Sequence, residues 1–188
     1  QRKAHVIARD VANKLSFKFL VDSNGNQIKP IAIHHHLILG LGKPNKWPIS
    51  KEEVKDILID MKMSKSKPDT CIFIHDSLEE IRNKVRKAFC MEKEINYNPV
   101  LDWCKHLIFP ISERLEIKRD KKFGGNISYS DYSSLEMDFV NGKLHPMDLK
   151  NAVAEKLIKI LEPARKHFSV GKPKKYLEEL EKLLATNQ

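Results

Sequence analysis

Long apolar runs are missing from this sequence. Its 188 residues are 41% hydrophobic and 31% charged, and the charges break every apolar stretch well short of the roughly 20 residues a membrane-spanning helix needs. A membrane protein is therefore not expected, and a mean hydropathy of -0.47 fits a folded globular chain, too apolar for a disordered one. Cysteine is scarce: Cys71, Cys90 and Cys104 cannot all pair with one another. That excludes a disulfide-stapled scaffold and favours a reducing compartment, with a cytoplasmic location expected. No internal repeat or low-complexity tract is present, and the length suits one full domain or two small ones. Acidic residues are the minority, 25 against 34 Lys and Arg, for a formal charge of +9. A polyanion is the first partner to consider, nucleic acid ahead of a membrane surface.

The chain opens on Gln1 and runs at once into a helical pattern, with Ala4, Val6, Ile7, Val11, Ala12 and Leu15 at spacings of three and four. An amphipathic helix with no cap and no lead-in suggests a piece of a longer protein. After the turn signal Asp22-Ser23-Asn24-Gly25-Asn26, the short β-rich run Ile31-Ala32-Ile33 predicts a buried strand emptying into His34-His35-His36 and the Gly40/Gly42 pair. Helix then strand predicts α/β packing. Ser50 with Glu53 and Ser77 with Glu80 have the spacing of capping boxes, each opening a helix. Between those helices lie the basic segment Lys62 to Pro68 and a strand-like Cys71-Ile72-Phe73-Ile74. From Pro99 onward the pattern changes to helices around two short strands, Leu115 to Lys118 and Ile127 to Tyr129, so a boundary is placed near residue 90. Gly142 suits a left-handed helix cap, Pro146 a first helical position, and Pro163 a kink or stop.

Lys62-Met63-Ser64-Lys65-Ser66 carries two lysines three apart, two small hydroxyls and no bulky side chain. Lysine is a compact, mobile point charge, so such a loop can follow the charge that builds on a phosphate during its transfer. The segment matches, letter for letter, the KMSKS motif of class I aminoacyl-tRNA synthetases. Three further stretches narrow the resemblance to the archaeal and eukaryotic tyrosyl-tRNA synthetases: Gln1-Arg2-Lys3 opening a helix, Phe123-Gly124-Gly125, and Leu144-His145-Pro146-Met147-Asp148-Leu149-Lys150-Asn151-Ala152-Val153. All four stand in that family's order and span nearly the whole chain. The stretch between Gly40 and Lys62, with Trp47 and the Ser50 helix, is longer than in the family's most compact members.

The resemblance implies a tyrosine–tRNA ligase, of which this chain would be the C-terminal portion, without the HIGH motif and most of the tyrosine pocket. Residues 1–75 would be the end of a Rossmann catalytic domain, 76–90 a linker helix, and 91–188 a mainly helical anticodon-binding domain. It places Lys62 and Lys65 in catalysis, all of Lys62, Met63, Ser64, Lys65 and Ser66 at ATP, and Gln1 at the amino group of tyrosine. One of His34 to His36, or the Gly40 to Gly42 turn, would line the far end of the ATP site. Phe123, His145, Pro146, Met147 and Asp148 would read the anticodon: aromatic rings stack on splayed bases, and a carboxylate accepts from the N1–H and N2–H₂ of guanine. Implied partners are tRNA(Tyr), tyrosine and ATP with Mg2+, and no membrane; the intact protein would be a homodimer, the piece alone a monomer as the alternative. No protein-bound metal is expected, because only alternate residues of an extended histidine run share a face and no Cys/His quartet accompanies it. Lys118, Arg119, Lys121 and Lys122 would follow the RNA backbone. The competing readings are a catalytically inactive RNA-binding module and a tryptophan-specific relative.

Overall fold

The structure, a computed structural model, describes residues 2–15, 21–50 and 52–185. The chain divides into two compact units, residues 1–36 and 37–188.

In the first unit α1 (Arg2–Lys14) is the expected helix. Arg9 Nη1 donates to the Pro30 carbonyl at 3.2 Å and the Gln27 amide to the Ala12 carbonyl at 2.7 Å, which folds the following segment back along α1. The predicted turn forms: the Asp22 carboxylate accepts the N–H groups of Asn24 and Asn26, each at 2.9 Å. The bond from Asn26 leads in holding that carboxyl below its usual range. The strand predicted at 31–33 does not form, and Ile31 and Ile33 are 84% and 89% exposed. A strand needs a neighbour for its N–H and C=O groups, and among the described residues the only sheet lies in the second unit.

That unit is mainly helical with one two-stranded sheet. Its elements are α2 (Val54–Met61), a 3₁₀ turn at Pro68–Thr70, α3 (Leu78–Lys87), α4 (Pro99–Trp103), α5 (Phe109–Ile111), β1 (Leu115–Ile117), β2 (Ile127–Tyr129), α6 (Tyr132–Val140), α7 (Pro146–Phe168) and α8 (Gly171–Ala185). A π-helical turn, Cys104–Ile108, joins α4 to α5. Residues 71–74, expected as a strand, are irregular; their conformation is fixed by the Phe73 N–H, which donates to Asp76 at 2.9 Å.

The caps explain where the helices begin. Ser77 and Glu80 form the predicted reciprocal box: the Ser77 hydroxyl accepts from the Glu80 N–H at 3.2 Å, and the Glu80 carboxylate accepts from the Ser77 N–H at 2.8 Å. The Ser50/Glu53 box is not made. Lys46 pairs with the Glu53 carboxylate, the Ser50 hydroxyl donates to that carboxylate at 3.1 Å, and the Glu53 N–H turns to the Ser50 carbonyl at 3.2 Å instead of to the hydroxyl. Buried Asn98 caps α4 by accepting from the Val100 and Leu101 N–H groups, with Pro99 in the first helical position. Gly142 adopts the left-handed conformation (φ 74) expected beyond the end of α6. Pro163 does not end α7, which continues to Phe168. The Arg165 guanidinium donates back to the Ile158 carbonyl, supplying a donor near the point where proline has none.

Beside a small cluster of Leu39, Ile57 and Met61, one larger core unites most of the unit. Trp103, Leu101, Phe139, Leu135, Leu149, Val153, Ile81 and Val85 are all fully buried in it, each contributing roughly 1.5–3 kcal/mol through burial. α3 packs on α7, tied at its surface by Arg82 to Glu155 at 2.7 Å and by Lys150 Nζ to the Arg86 carbonyl at 3.1 Å. β1 and β2 run antiparallel with Leu115 opposite Tyr129, and β1 lies against α7.

Candidate functional site

The Lys62 to Ser66 segment leaves α2 and is fastened at once to residues 38–41. Gly40 N–H donates to the Met61 carbonyl at 2.6 Å, Met63 N–H to Ile38 at 2.8 Å, and Leu41 N–H to Thr70 at 2.9 Å, while Leu39 and Lys62 form an antiparallel bridge. Gly40 eases this approach: a Cβ there would stand 3.3 Å from both the Met61 carbonyl and the Thr70 hydroxyl, close enough that its neighbours would have to give by a few tenths of an ångström. Leu39 is held in turn by α4, its N–H donating to Asp102 at 3.0 Å and its carbonyl accepting the Trp103 indole N–H at 2.6 Å.

From this base the segment turns outward. Lys62, Lys65 and Ser66 are exposed, Ser64 is half-buried, and Met63 packs its side chain against the core. The Ser64 and Ser66 hydroxyls lie 2.8 Å apart, and the turn closes through Lys67 N–H to the Ser64 carbonyl at 3.0 Å. Beside it is a cleft of about 280 Å³ whose lining includes Gly40, Gly42, Lys43, Asp60, Lys62 and Lys67. The expected glycine turn thus reaches the same cleft as Lys62. His34 and His5 meet at 3.2 Å within the first unit, and His35 contacts the His36 carbonyl at 2.8 Å. Gln1, expected at tyrosine, lies outside the described residues.

Phe123 and the His145 to Asp148 group come from separate loops. Asp120 caps the turn Lys121–Phe123 by accepting from Lys122 N–H at 3.0 Å, leaving Phe123 63% exposed with Lys122 Nζ 4.9 Å above its ring. His145 precedes α7, its Nδ1 accepting from Met147 N–H at 3.1 Å; Pro146 opens the helix, Met147 is exposed, and Asp148 stands half-buried in the first turn. Arg119 ties these loops together. Its Nε donates to the Gly125 carbonyl at 2.6 Å and its Nη1 to the Lys143 carbonyl at 2.7 Å. Lys143 and Tyr129 share Asp138, at 3.3 and 3.1 Å. Burial, then the bond to Asp138, raises the Tyr129 hydroxyl to about 12. Arg119 therefore fastens loops, whereas Lys118, Lys121 and Lys122 are exposed as expected. Lys118 joins Arg114, Lys156 and Lys159 in a groove of about 340 Å³ between β1 and α7 that also holds Glu116 and Glu155.

The family described as tRNA synthetases class I (W and Y) matches residues 1–162. The chain belongs to that family. Within the class I synthetases it is similar to tyrosyl members of archaea. Curated tyrosine–tRNA ligases of Pyrococcus furiosus and Thermococcus sibiricus are each 57% identical over 170 residues, 89% of this chain and 45% of theirs. The crystal structure of tyrosyl-tRNA synthetase complexed with L-tyrosine from Pyrococcus horikoshii superposes with a TM-score of 0.83 at 55% identity, covering 96% of this chain and 48% of that one. The tyrosyl-tRNA synthetase of Aeropyrum pernix gives 0.68 at 38% identity, covering 96% and 45%. The chain thus spans about half the length of these archaeal relatives. Among the described residues no helix is long and apolar enough to cross a membrane.

Sequence reasoning missed Asn98 and Asp60, and it named Arg119 only as one of a basic run without its tie between loops. Asn98 had a readable signal, an Asx residue before proline. Asp60, beside Lys67, and Arg119, within a basic run, had none, because their roles depend on partners brought in by the fold.

Proposed function

We propose that the protein containing this chain is a tyrosine–tRNA ligase. A carboxylate oxygen of tyrosine attacks the α-phosphorus of MgATP, the bond to the β-phosphate breaks and pyrophosphate leaves; the tyrosyl group then passes from the adenylate to the 3′ end of tRNA(Tyr). The observation that carries the reading is the Lys62 to Ser66 segment itself, hydrogen-bonded at its base to residues 38–41, with Lys62 lining a cleft beside Gly40 and Gly42 and Lys65 exposed on the turn that follows. Lys62 and Lys65 neutralise the leaving pyrophosphate as its charge builds, and the Ser64 and Ser66 hydroxyls donate to its oxygens. Met63 serves from beneath: its packing keeps the backbone of the segment close to the phosphates. Gln1 accepts from the ammonium of tyrosine. Residues 1–75 act as the end of the catalytic domain, 76–90 as the linker, and 91–188 as the anticodon-binding part; the intact protein is a cytoplasmic homodimer.

In the second site Phe123 and His145 stack on anticodon bases, Pro146 and Met147 shape the wall, and Asp148 pairs with the guanine that begins a tyrosine anticodon. The exposed ring of Phe123 and the tie through Arg119 support this division of labour. The groove with Arg114, Lys118, Lys156 and Lys159 supports a phosphate-binding face beside it.

In the intact protein, Lys65→Ala should lower tyrosine-dependent ATP–pyrophosphate exchange by about 10²–10³-fold, the usual cost of removing one preorganised charge-stabilising group. Exchange driven by another amino acid in place of tyrosine would refute the reading. Equal affinity for tRNA with G or C at the first anticodon position would refute the role of Asp148.

A further inference from the structure

An acidic residue stands in a cleft built of cations. Asp60 is the next-to-last residue of α2 and lines the cleft together with Lys43, Lys62 and Lys67. Two elementary effects oppose it there. The C-terminal end of a helix carries partial negative charge, and α2 has no basic residue in its last turn to offset a carboxylate. The carboxylate also repels the triphosphate that the proposed ligase activity, on which this inference rests, would bring into the cleft.

What stabilises Asp60 comes from outside its helix. Lys67 Nζ donates to one carboxylate oxygen at 2.8 Å and lies 3.5 Å from the Asp60 carbonyl, and the Asn45 amide donates to the other oxygen. Lys67 is the residue that closes the turns on either side of it. Its N–H bonds back to Ser64 at 3.0 Å, and its carbonyl accepts from the Thr70 N–H at 2.9 Å and hydroxyl at 2.8 Å. Asp60 therefore grips the loop at the residue whose backbone sets the loop's shape.

We propose that Asp60 is a positioning residue that holds Lys67 in the place of a phosphate oxygen and yields it when a triphosphate enters. Both members of the pair are about half exposed, 51% for the Lys67 side chain and 40% for Asp60. An ion pair so open to water is weak enough to exchange, and a multiply charged phosphate is the stronger partner. On arrival of the triphosphate, Lys67 changes carboxylate for phosphate, the Asp60–Lys67 link opens, and the segment from Ser64 to Lys67 is drawn toward the nucleotide. The cleft is kept ordered by an internal anion that an incoming one displaces.

The test is a double-mutant cycle in the full-length protein, with Asp60→Asn, Lys67→Ala and the combination. Removing the competing carboxylate should lower the KM for ATP in pyrophosphate exchange by about 2- to 5-fold, the range open to an exposed ion pair, with the KM for tyrosine unmoved. In the Lys67→Ala background, Asp60→Asn should lower the KM for ATP by clearly less than it does with Lys67 present, because only the direct repulsion is then relieved. An unchanged or higher KM for ATP in Asp60→Asn overturns the proposal. So does an equal decrease in both backgrounds, since that would be charge repulsion alone with Lys67 uninvolved. Direct titration with inorganic tripolyphosphate gives the same comparison without catalysis, and thermal denaturation shows that each variant is folded. Absence of tyrosine-dependent exchange in the unsubstituted protein refutes the ligase reading, and the tripolyphosphate titration then decides the role of Asp60 by itself.

Discussion

Replacing Arg119 with alanine removes the tie between the two loops of the second site. The guanidinium makes bonds of 2.6 Å to the Gly125 carbonyl and 2.7 Å to the Lys143 carbonyl. Charge-assisted bonds of this kind contribute about 1.5–3 kcal/mol each, but both carbonyls lie in surface loops that water can reach once the arginine is gone. A loss of about 1–3 kcal/mol for the pair is the reasoned expectation, or roughly 2–12 °C in Tm for a unit of this size. The larger consequence is for recognition. With Phe123 no longer fastened to the His145 to Asp148 loop, stacking and pairing cease to reinforce each other, and the preference for G over C at the first anticodon position should fall at least about 3-fold, a fraction of the roughly 1–3 kcal/mol that a two-pronged base contact discriminates. The assay is tRNA binding by the full-length protein over a salt series, with both anticodons. Because Arg119 is assigned to carbonyls, the slope of log affinity against log salt should not change. A slope reduced by about 0.7, with the base preference intact, would show Arg119 to be a phosphate contact and refute the argument.

Asp76→Asn should destabilise the chain by about 2–4 kcal/mol in urea unfolding, because it strands Lys84, a largely buried ammonium now 2.7 Å from the carboxylate; a loss below about 0.5 kcal/mol would show that Lys84 reaches water unaided. Tyr129 gives a pH signature. Its folded-state value of about 12 lies above the 10.0 of an ordinary tyrosine, so the unfolded chain loses its proton first as pH rises. Its contribution should be complete below pH about 10 and decline from there toward about 12, and Tyr129→Phe should remove that part of the alkaline decline in stability measured by denaturation across the range.

What the sequence made legible was local. Ser77 with Glu80, Gly142 and Pro146 each act through neighbours within a few positions, and the structure builds what they predict. The Lys62 to Ser66 segment was legible by spelling, and Lys62 stands at the cleft that Gly40 and Gly42 also line. Failures came where a signal depended on something distant or competing. Ile31 and Ile33 have strand composition, but composition supplies no pairing partner. Ser50 and Glu53 have the right spacing, but Lys46, outside the motif, takes the carboxylate. Pro163 warned of a break that α7 does not make. Arg119 looked like its basic neighbours because its acceptor Lys143 is 24 positions away.

Leu39 has a consequence for how the chain comes apart. Its N–H and its carbonyl are held by consecutive residues of the helical core, Asp102 and Trp103, while its neighbours carry the KMSKS loop. Opening the loop's base away from the helices therefore means breaking both bonds of this one residue. Heat or denaturant should take the Lys62 to Ser66 segment and the helices that follow in a single cooperative step, and a protease should find no stable stopping point between Leu39 and Trp103. Two segments that look separable along the chain should then share one fate when it unfolds.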